Sequence, residues 1–566
     1  MTRSGKRKGR PIASDEPLAA AAKTPFWLAR IPLSAGLVAL AVYLPSIAGG
    51  FVYDDGELIL RNPSIRDLSA IETVLRYEPS RPLLNLSWAL NYALGGASPW
   101  HYHLVNVLIH AANAALLASL FLWMAARWGR TDAKPLALLG ACLFAASPMA
   151  AETVAYVASR SSALASLFML ASLRLAASVM DGAPRRRLLG SMLLFLLGLA
   201  TKEEAAALPL LLLLLDYFFA ARQELALVRR RIWMHACFIA VIPLGLAMRR
   251  LATGSWLPPQ AIDPGLYLLT QWAAFPLYFL RALIPIDPAL YRQHPPASWP
   301  PDAVTLALGL LTAVMATIAV ARRSVWPAWA FAVAWLAAGL IPSSSIVSLN
   351  EMVADHRAYL GSIGVTFALA MLLWSWGGAR LGILVIVLLA ARSLAFEWVL
   401  GDPVRAWEHV VARAPNAPDA LSALAESYSE RSDPRAEGLF LKLTQVAPAN
   451  YRYWANLGVY YGEHGRAAEA VQALRKALER NPGEASIHDY LGQMLLRLGR
   501  DQEAANEFEA AIASEPTYAP AYSNLAALAL RQADPERARK LIDAGARFAG
   551  SAEEADAFAR LRARLP

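Results

Sequence analysis

The stretch IPLSAGLVALAVYLPSIAGGFVYDD, residues 31–55, decides the architecture. From Ile31 to Tyr53 it carries no charged residue, and then two aspartates follow at once. A run of about 20 apolar residues crosses a bilayer core as a helix. Upstream lie the basic residues between Arg3 and Arg10. Basic then apolar is also the order of a signal peptide. Here the run is too long, and no convincing small-x-small cleavage site precedes Phe51. It therefore reads as a retained first span, with residue 1 in the cytoplasm.

Working outward, the same kind of segment recurs as far as about residue 400. Spans are expected near 31–50, 104–124, 135–150, 153–177, 188–200, 205–221, 232–248, 303–321, 325–341, 363–377 and 382–400, about eleven in all. Between them fall short basic groups: Arg127 with Arg130, Arg185 to Arg187, Arg229 to Arg231, and Arg322 with Arg323. That is the positive-inside pattern of cytoplasmic loops. The segment 264–285 carries Gln271, Pro276, Arg281 and Pro285, which suits a re-entrant or interfacial stretch. Read as non-spanning, it keeps Arg322 and Arg323 inside and puts the C-terminus outside. The expected organisation is a basic cytoplasmic N-terminus (1–30), a membrane domain (31–400) with an outside loop at 51–103, and a separate domain at 401–566.

Composition agrees. The 566 residues are 57% hydrophobic and only 17% charged, which excludes an ordinary soluble protein. The net charge of +9 does not indicate nucleic acid, because the basic residues are the short clusters above. Cys142 and Cys237 both lie in apolar runs, so neither a disulfide framework nor a metal cluster follows from them.

After residue 400 a 34-residue period appears. Trp454, Leu457, Gly458, Tyr461, Ala470, Leu474, Ala477 and Pro482 hold the signature positions of a tetratricopeptide repeat. His488, Leu491, Gly492, Leu495, Ala504, Phe508, Ala511 and Pro516 repeat them, and Tyr522, Leu525, Ala526, Ala529 and Ala538 begin a further copy. A weaker copy precedes, with Ala436, Phe440 and Pro448. About three and a half to four repeats are expected, forming an α-solenoid with a concave surface for a polypeptide partner. A purely scaffolding or dimerising role fits the same repeats.

The chemistry concentrates on the outside loops. Asp54 and Asp55 end the first span, where one carboxylate can take a proton while its neighbour holds the geometry. By itself such a pair is usually a solvated cap. Arg81 opens an amphipathic stretch and can grip a phosphate with two parallel bonds, though an interfacial arginine often merely snorkels. His103, Asn106, His110 and Asn113 share one helical face, with the two histidines about 10 Å apart along the axis. Such polar groups face a cavity, or else lock helices together. Glu152, Arg160, Lys202, Glu203, Glu204, Asp355, His356 and Arg357 fall on other loops of the same side. Carboxylates with arginines and a lysine suit an anionic lipid-linked substrate. An ion-coupled transporter would use the same residue types.

The pieces FVYDD (51–55), NP (62–63), RPLLNLSWALNY (81–92), YHLVNVLIHAAN (102–113), ASPMAAETVAYVASR (146–160), TKEEAAALP (201–209) and DHRAYLGSIG (355–364) stand in order along the membrane part. Together with the repeats they resemble the transmembrane and tetratricopeptide-repeat-containing family of O-mannosyltransferases. The resemblance implies an all-α polytopic membrane domain of GT-C type followed by the repeat solenoid. It implies an inverting transfer of sugar from a polyprenyl phosphate (undecaprenyl or dolichyl type) to a protein hydroxyl. Carried over, Asp54 is the base and Asp55 its partner. Arg81, Arg160, Lys202, Glu203, His356 and Arg357 bind donor phosphate or substrate, and His103, His110 and Glu152 line a polar cavity. A divalent metal is left open, with Glu152 the available ligand. Ser147-Pro148 replaces the family's His-Pro, and Ser161-Ser162 stand where an acidic residue often follows the arginine. The sugar and the acceptor class stay open, including a lipid or cell-wall glycan. A non-enzymatic membrane-anchored scaffold for an envelope or pilus assembly is the rival. The Ala-, Leu- and Arg-rich style suggests a bacterial inner membrane, with the repeats in the periplasm.

Overall fold

The computed structural model describes residues 30–256, 262–344, 348–349 and 351–566. The expected cytoplasmic segment 1–30 thus lies, apart from Arg30, outside the described residues. All regular structure among the described residues is helical. The chain divides into two units, Met1–Ala406 and Trp407–Pro566.

The first unit is built on α1 (Arg30–Tyr43), α2 (Pro82–Gly95), α3 (Pro99–Arg127), α4 (Ala133–Ala145), α5 (Ala151–Ala155), α6 (Arg160–Met180), α7 (Arg187–Leu199), α8 (Leu208–Leu215), α9 (Ile232–Thr253), α10 (Pro264–Leu283), α11 (Ala303–Ala321), α12 (Pro327–Leu340) and α13 (Ser362–Leu400). Proline stands in the first turn of α2, α3, α8, α10 and α12, where a missing N–H costs nothing. Asp263 and Asp302 cap α10 and α11 through their side chains. The 29-residue α3 is the central post, packed by α1, α4 and α6.

Among the described residues, six helices are long and apolar enough to cross a membrane, or seven if α4 and the following Pro148–Ala155 count as one span bent by 48°. The protein is an integral membrane protein. The expected count of about eleven also included 188–200, 205–221 and 325–341, whose helices α7, α8 and α12 have only 13, 8 and 14 residues and are too short to be counted with the six. It split α13 in two as well. The structure bends α13 at Gly378, whose φ of 58° and ψ of −146° are non-helical.

Within segment 264–285, residues Pro264–Leu283 form one unbroken helix, α10, despite Pro276. It is absent from the six. The Tyr267 hydroxyl donates to the Ser343 carbonyl at 2.6 Å, beyond the end of α12. Phe279 packs on Trp329 in the first turn of α12, with ring centroids 4.9 Å apart. α10 therefore runs antiparallel beside α12.

The second unit is a row of helix pairs: α14 (Pro418–Glu430) with α15 (Arg435–Val446), α16 (Tyr451–Glu463) with α17 (Ala467–Leu478), α18 (Ala485–Arg497) with α19 (Asp501–Ser514), and α20 (Ala519–Arg531) with α21 (Pro535–Gly545). A final helix, α22 (Ala552–Arg562), places Phe558 and Leu561 against Ile542 and Ala526 and covers the last pair. The signature residues act by size. A Cβ on Gly458 would lie 2.7 Å from Leu474, and one on Gly492 would lie 2.6 Å from Phe508. Only glycine lets these helices approach so closely.

Candidate active site

Beyond α1 the chain makes a short 3-10 turn and arrives at Tyr53, whose φ is 53°. A bulky residue in the left-handed region is held there only by strong surroundings. The next two residues separate. Asp55 is fully buried, and its Oδ1 accepts the Ala158 N–H at 2.7 Å while Oδ2 accepts the Val52 N–H at 3.0 Å. It thereby ties the loop to the start of α6. Burial pushes its carboxyl up to about 7, against the pull of those N–H groups. Asp54 stays exposed. Its N–H donates to the Tyr156 hydroxyl at 3.3 Å. Desolvation by the surrounding loops raises its carboxyl above the ordinary value, and the bond from Tyr156 opposes this.

The loops named by the sequence converge here. The Tyr53 hydroxyl donates to Glu351 at 3.1 Å, joining the loop after α1 to the segment between α12 and α13. Glu152 is buried and takes His356 twice: Oε1 meets Nδ1 at 2.6 Å and Oε2 accepts the backbone N–H at 3.0 Å. Burial, with Lys202 nearby, brings His356 down to about 3, so the imidazole is neutral with Nδ1–H donated to Glu152. It can then accept a hydrogen bond at Nε2 but offers no cation to a phosphate.

The cations differ in how much of their charge is free. Lys202 pairs with Glu204 at 2.7 Å and donates to Ser162 at 2.7 Å. Arg81 makes a two-point contact with Glu203, at 2.8 and 3.3 Å. Burial alone would raise the Glu203 carboxyl, but Arg81 and Lys202 overcome it and hold it at about 2. Arg357 is buried beside Tyr267 and Tyr278, and its Nη1 has no hydrogen-bond partner among the described residues. Its neighbour Asp355 is taken by Arg292, at 2.7 and 2.9 Å.

Three expected site residues belong elsewhere. Arg160 is fully buried, and each of its three nitrogens donates to a neutral acceptor: Asn106 at 2.7 Å, Asn91 at 2.6 Å and the Tyr102 carbonyl at 2.9 Å. It braces α2 and α3 against α6 instead of facing a phosphate. His110 bonds the Tyr359 hydroxyl at 2.7 Å and the Ala145 carbonyl at 3.2 Å, packed among Tyr43, Phe144 and Tyr359. His103 meets the Gly50 carbonyl at 3.3 Å. His110 thus joins α3 to the end of α4 and to Tyr359, and His103 ties α3 to the loop after α1. Glu152, placed with them by sequence, belongs to the loop cluster.

Arg292, Glu351 and Tyr156 were not singled out by sequence. Arg292 sits in the irregular, proline-rich stretch 284–302, which has no periodicity to read. Among the described residues no group of three or more His, Cys, Asp or Glu is placed to hold a metal ion. Glu152, the available ligand, is engaged with His356.

A family model described as tetratricopeptide repeat matches residues 434–485 and 455–519. The chain is 35% identical over 156 residues to the human "Protein O-mannosyl-transferase TMTC2", which is 25% of this chain and 18% of that protein. It is 34% identical over 169 residues to human "Protein O-mannosyl-transferase TMTC4", covering 26% and 22%. With "Protein O-mannosyl-transferase Tmtc1" of Drosophila melanogaster it shares 35% over 141 residues, covering 22% and 16%. The matches thus span about a fifth of the length of these curated relatives. Among solved structures, MamA is 20% identical with a TM-score of 0.25, over 28% of this chain and 90% of that one.

Proposed function

We propose that this chain is a membrane glycosyltransferase that moves a sugar from a polyprenyl-phosphate donor to a hydroxyl of a protein. The observation that carries the reading is the division of labour at residues 54 and 55. One carboxylate is buried and pinned by backbone N–H groups, and the other is left exposed beside it. A pinned neighbour fixes the position of the base beside it.

In the proposed reaction Asp54 takes the proton of the acceptor hydroxyl. The oxygen attacks the anomeric carbon as the bond from that carbon to the phosphate oxygen breaks. The electron pair leaves with the polyprenyl phosphate, and the anomeric configuration inverts. Arg357 is the best phosphate partner. It is buried with an unpaired donor, whereas Arg81 and Lys202 are already neutralised by Glu203 and Glu204. His356, held neutral by its surroundings and oriented by Glu152, is an acceptor for a sugar hydroxyl. The similarity to proteins named O-mannosyl-transferases supports a protein acceptor, with the repeats recruiting it. In this reading the membrane is a bacterial inner membrane, with residue 1 inside and the repeats outside.

The test compares Asp54→Asn with the parent chain by intact-mass measurement of envelope proteins from cells carrying each. The parent should add sugar-sized masses, and Asp54→Asn should remove them while expression and membrane insertion persist. Transfer surviving in Asp54→Asn would remove Asp54 as the base. No sugar-sized difference between cells with and without the parent chain would count against a protein acceptor.

A further inference from the structure

A second charged surface lies at the far end of the membrane unit. α7 begins at Arg187 and ends at Leu199, and Lys202 of the loop cluster follows its end. The two surfaces are thus separated by the length of α7. At its start stand Arg185, Arg186 and Arg187, and the short helix Leu225–Arg230 before α9 ends on Arg229 and Arg230. All five are exposed, and among the described residues none forms an ion pair.

The fold brings these two arginine groups together. The Arg185 guanidinium stacks on the Trp233 ring, 4.7 Å from its centroid, which joins the turn before α7 to the first turn of α9. Arg231 is spent on Asp216, with Nε–O distances of 3.0 and 3.1 Å, and His235 reaches the same carboxylate at 2.9 Å. That contact fixes the start of α9. Asp181, the acid nearest Arg185 in sequence, is taken by Arg127. Glu224 pairs with none of the five. Nearby arginines without carboxylates repel one another unless an external anion gathers there.

Depth and surroundings identify the anion. Three consecutive arginines stand directly before the uncharged run from Leu188 to Leu199, and charge is costly within hydrocarbon, so the arginines belong at headgroup level. Leu189, Leu193 and Ile232 beside them are 71%, 57% and 62% exposed, as suits side chains facing acyl chains. Arginine takes a phosphate oxygen pair with its planar fork, which lysine cannot match. We propose that Arg185, Arg186, Arg187, Arg229 and Arg230 form a binding site for the phosphate headgroup of an anionic lipid, such as phosphatidylglycerol or cardiolipin.

The positive-inside rule asks only for charge, so lysine separates the two explanations. Full-length protein in neutral detergent is mixed with equal amounts of phosphatidylglycerol and phosphatidylcholine and examined by native mass spectrometry. The parent should retain the anionic lipid preferentially. The five-fold Arg→Gln variant should lose that preference by on the order of tenfold or more. The five-fold Arg→Lys variant keeps the charge and the orientation, so it decides the matter if the Gln variant misfolds. It should retain several-fold less anionic lipid. Inorganic phosphate at millimolar concentration should not displace the lipid. Equal retention of both lipids, an unchanged preference in the Lys variant, or displacement by phosphate would each overturn the lipid site.

Discussion

Asp54 and Asp55 are adjacent in the chain, and their difference is the most local consequence of the fold. Asp55 titrates at about 7, well above the value near 4 of a free aspartate. The sign follows from linkage. A raised folded pKa gives stability that is full below about pH 4 and is lost as pH rises through about 7. The thermal unfolding midpoint of the parent in detergent should fall across that window. Asp55→Asn stays neutral and should flatten the dependence, although its amide serves the two N–H donors less well. An equally steep pH dependence in Asp55→Asn would show that another group sets it. Arg160 supplies a second test. Lysine has one nitrogen where Arg160 uses three to reach acceptors on α2 and α3, so Arg160→Lys leaves buried oxygens unsatisfied. It should cost on the order of 3 kcal/mol, read as a lowered unfolding midpoint. A variant as stable as the parent would return Arg160 to the list of substrate contacts. At this scale sequence names the residue types but not their pairings. Glu152 and His356 are 204 positions apart, and Arg81 and Glu203 are 122 apart. No spacing rule reaches so far, so Arg357 could not be told from Arg81 until their partners were visible.

Among the elements, apolar runs and breaks were legible where backbone chemistry is local. The gap between 377 and 382 in the expected spans contains Gly378, where α13 bends. A residue with φ of 58° and ψ of −146° favours glycine strongly, since a Cβ is strained there even with open space around it. Gly378→Ala should therefore destabilise the membrane unit by about 1–3 kcal/mol, measured by thermal unfolding, or straighten α13. No change in stability or in the bend would mean that packing alone sets it. The repeats were legible for a related reason: close approach at Gly458 and Gly492 depends on residue size, and size recurs with the period. α10 was less legible. Gln271 and Arg281 lower its apolar character because they face protein. Gln271 bonds the Met352 carbonyl at 2.6 Å, and Arg281 lies 3.8 Å from Asp355.

For the whole molecule, the eleven-span reading of the sequence turns on one parity. If α10 does not cross the membrane, the C-terminal repeats emerge on the side of Asp54. If it crosses, they emerge on the side of the arginine surface. Its antiparallel run beside α12 and its polar, partly charged face pull in opposite directions, because a polar residue buried in protein is tolerated within a membrane. Labelling decides between them. In a Cys237→Ser background, with Cys142 buried, single cysteines replace the exposed residues Glu57, Arg186 and Ser551. On that reading the loop after α1 and the charged turn before α7 are references of opposite side. An impermeant maleimide applied to the outer face of the membrane should label Glu57→Cys and Ser551→Cys, and it should reach Arg186→Cys only after permeabilisation. If Ser551→Cys follows Arg186→Cys, α10 crosses. The repeats then cannot present an acceptor to Asp54, and their partner belongs to the other compartment.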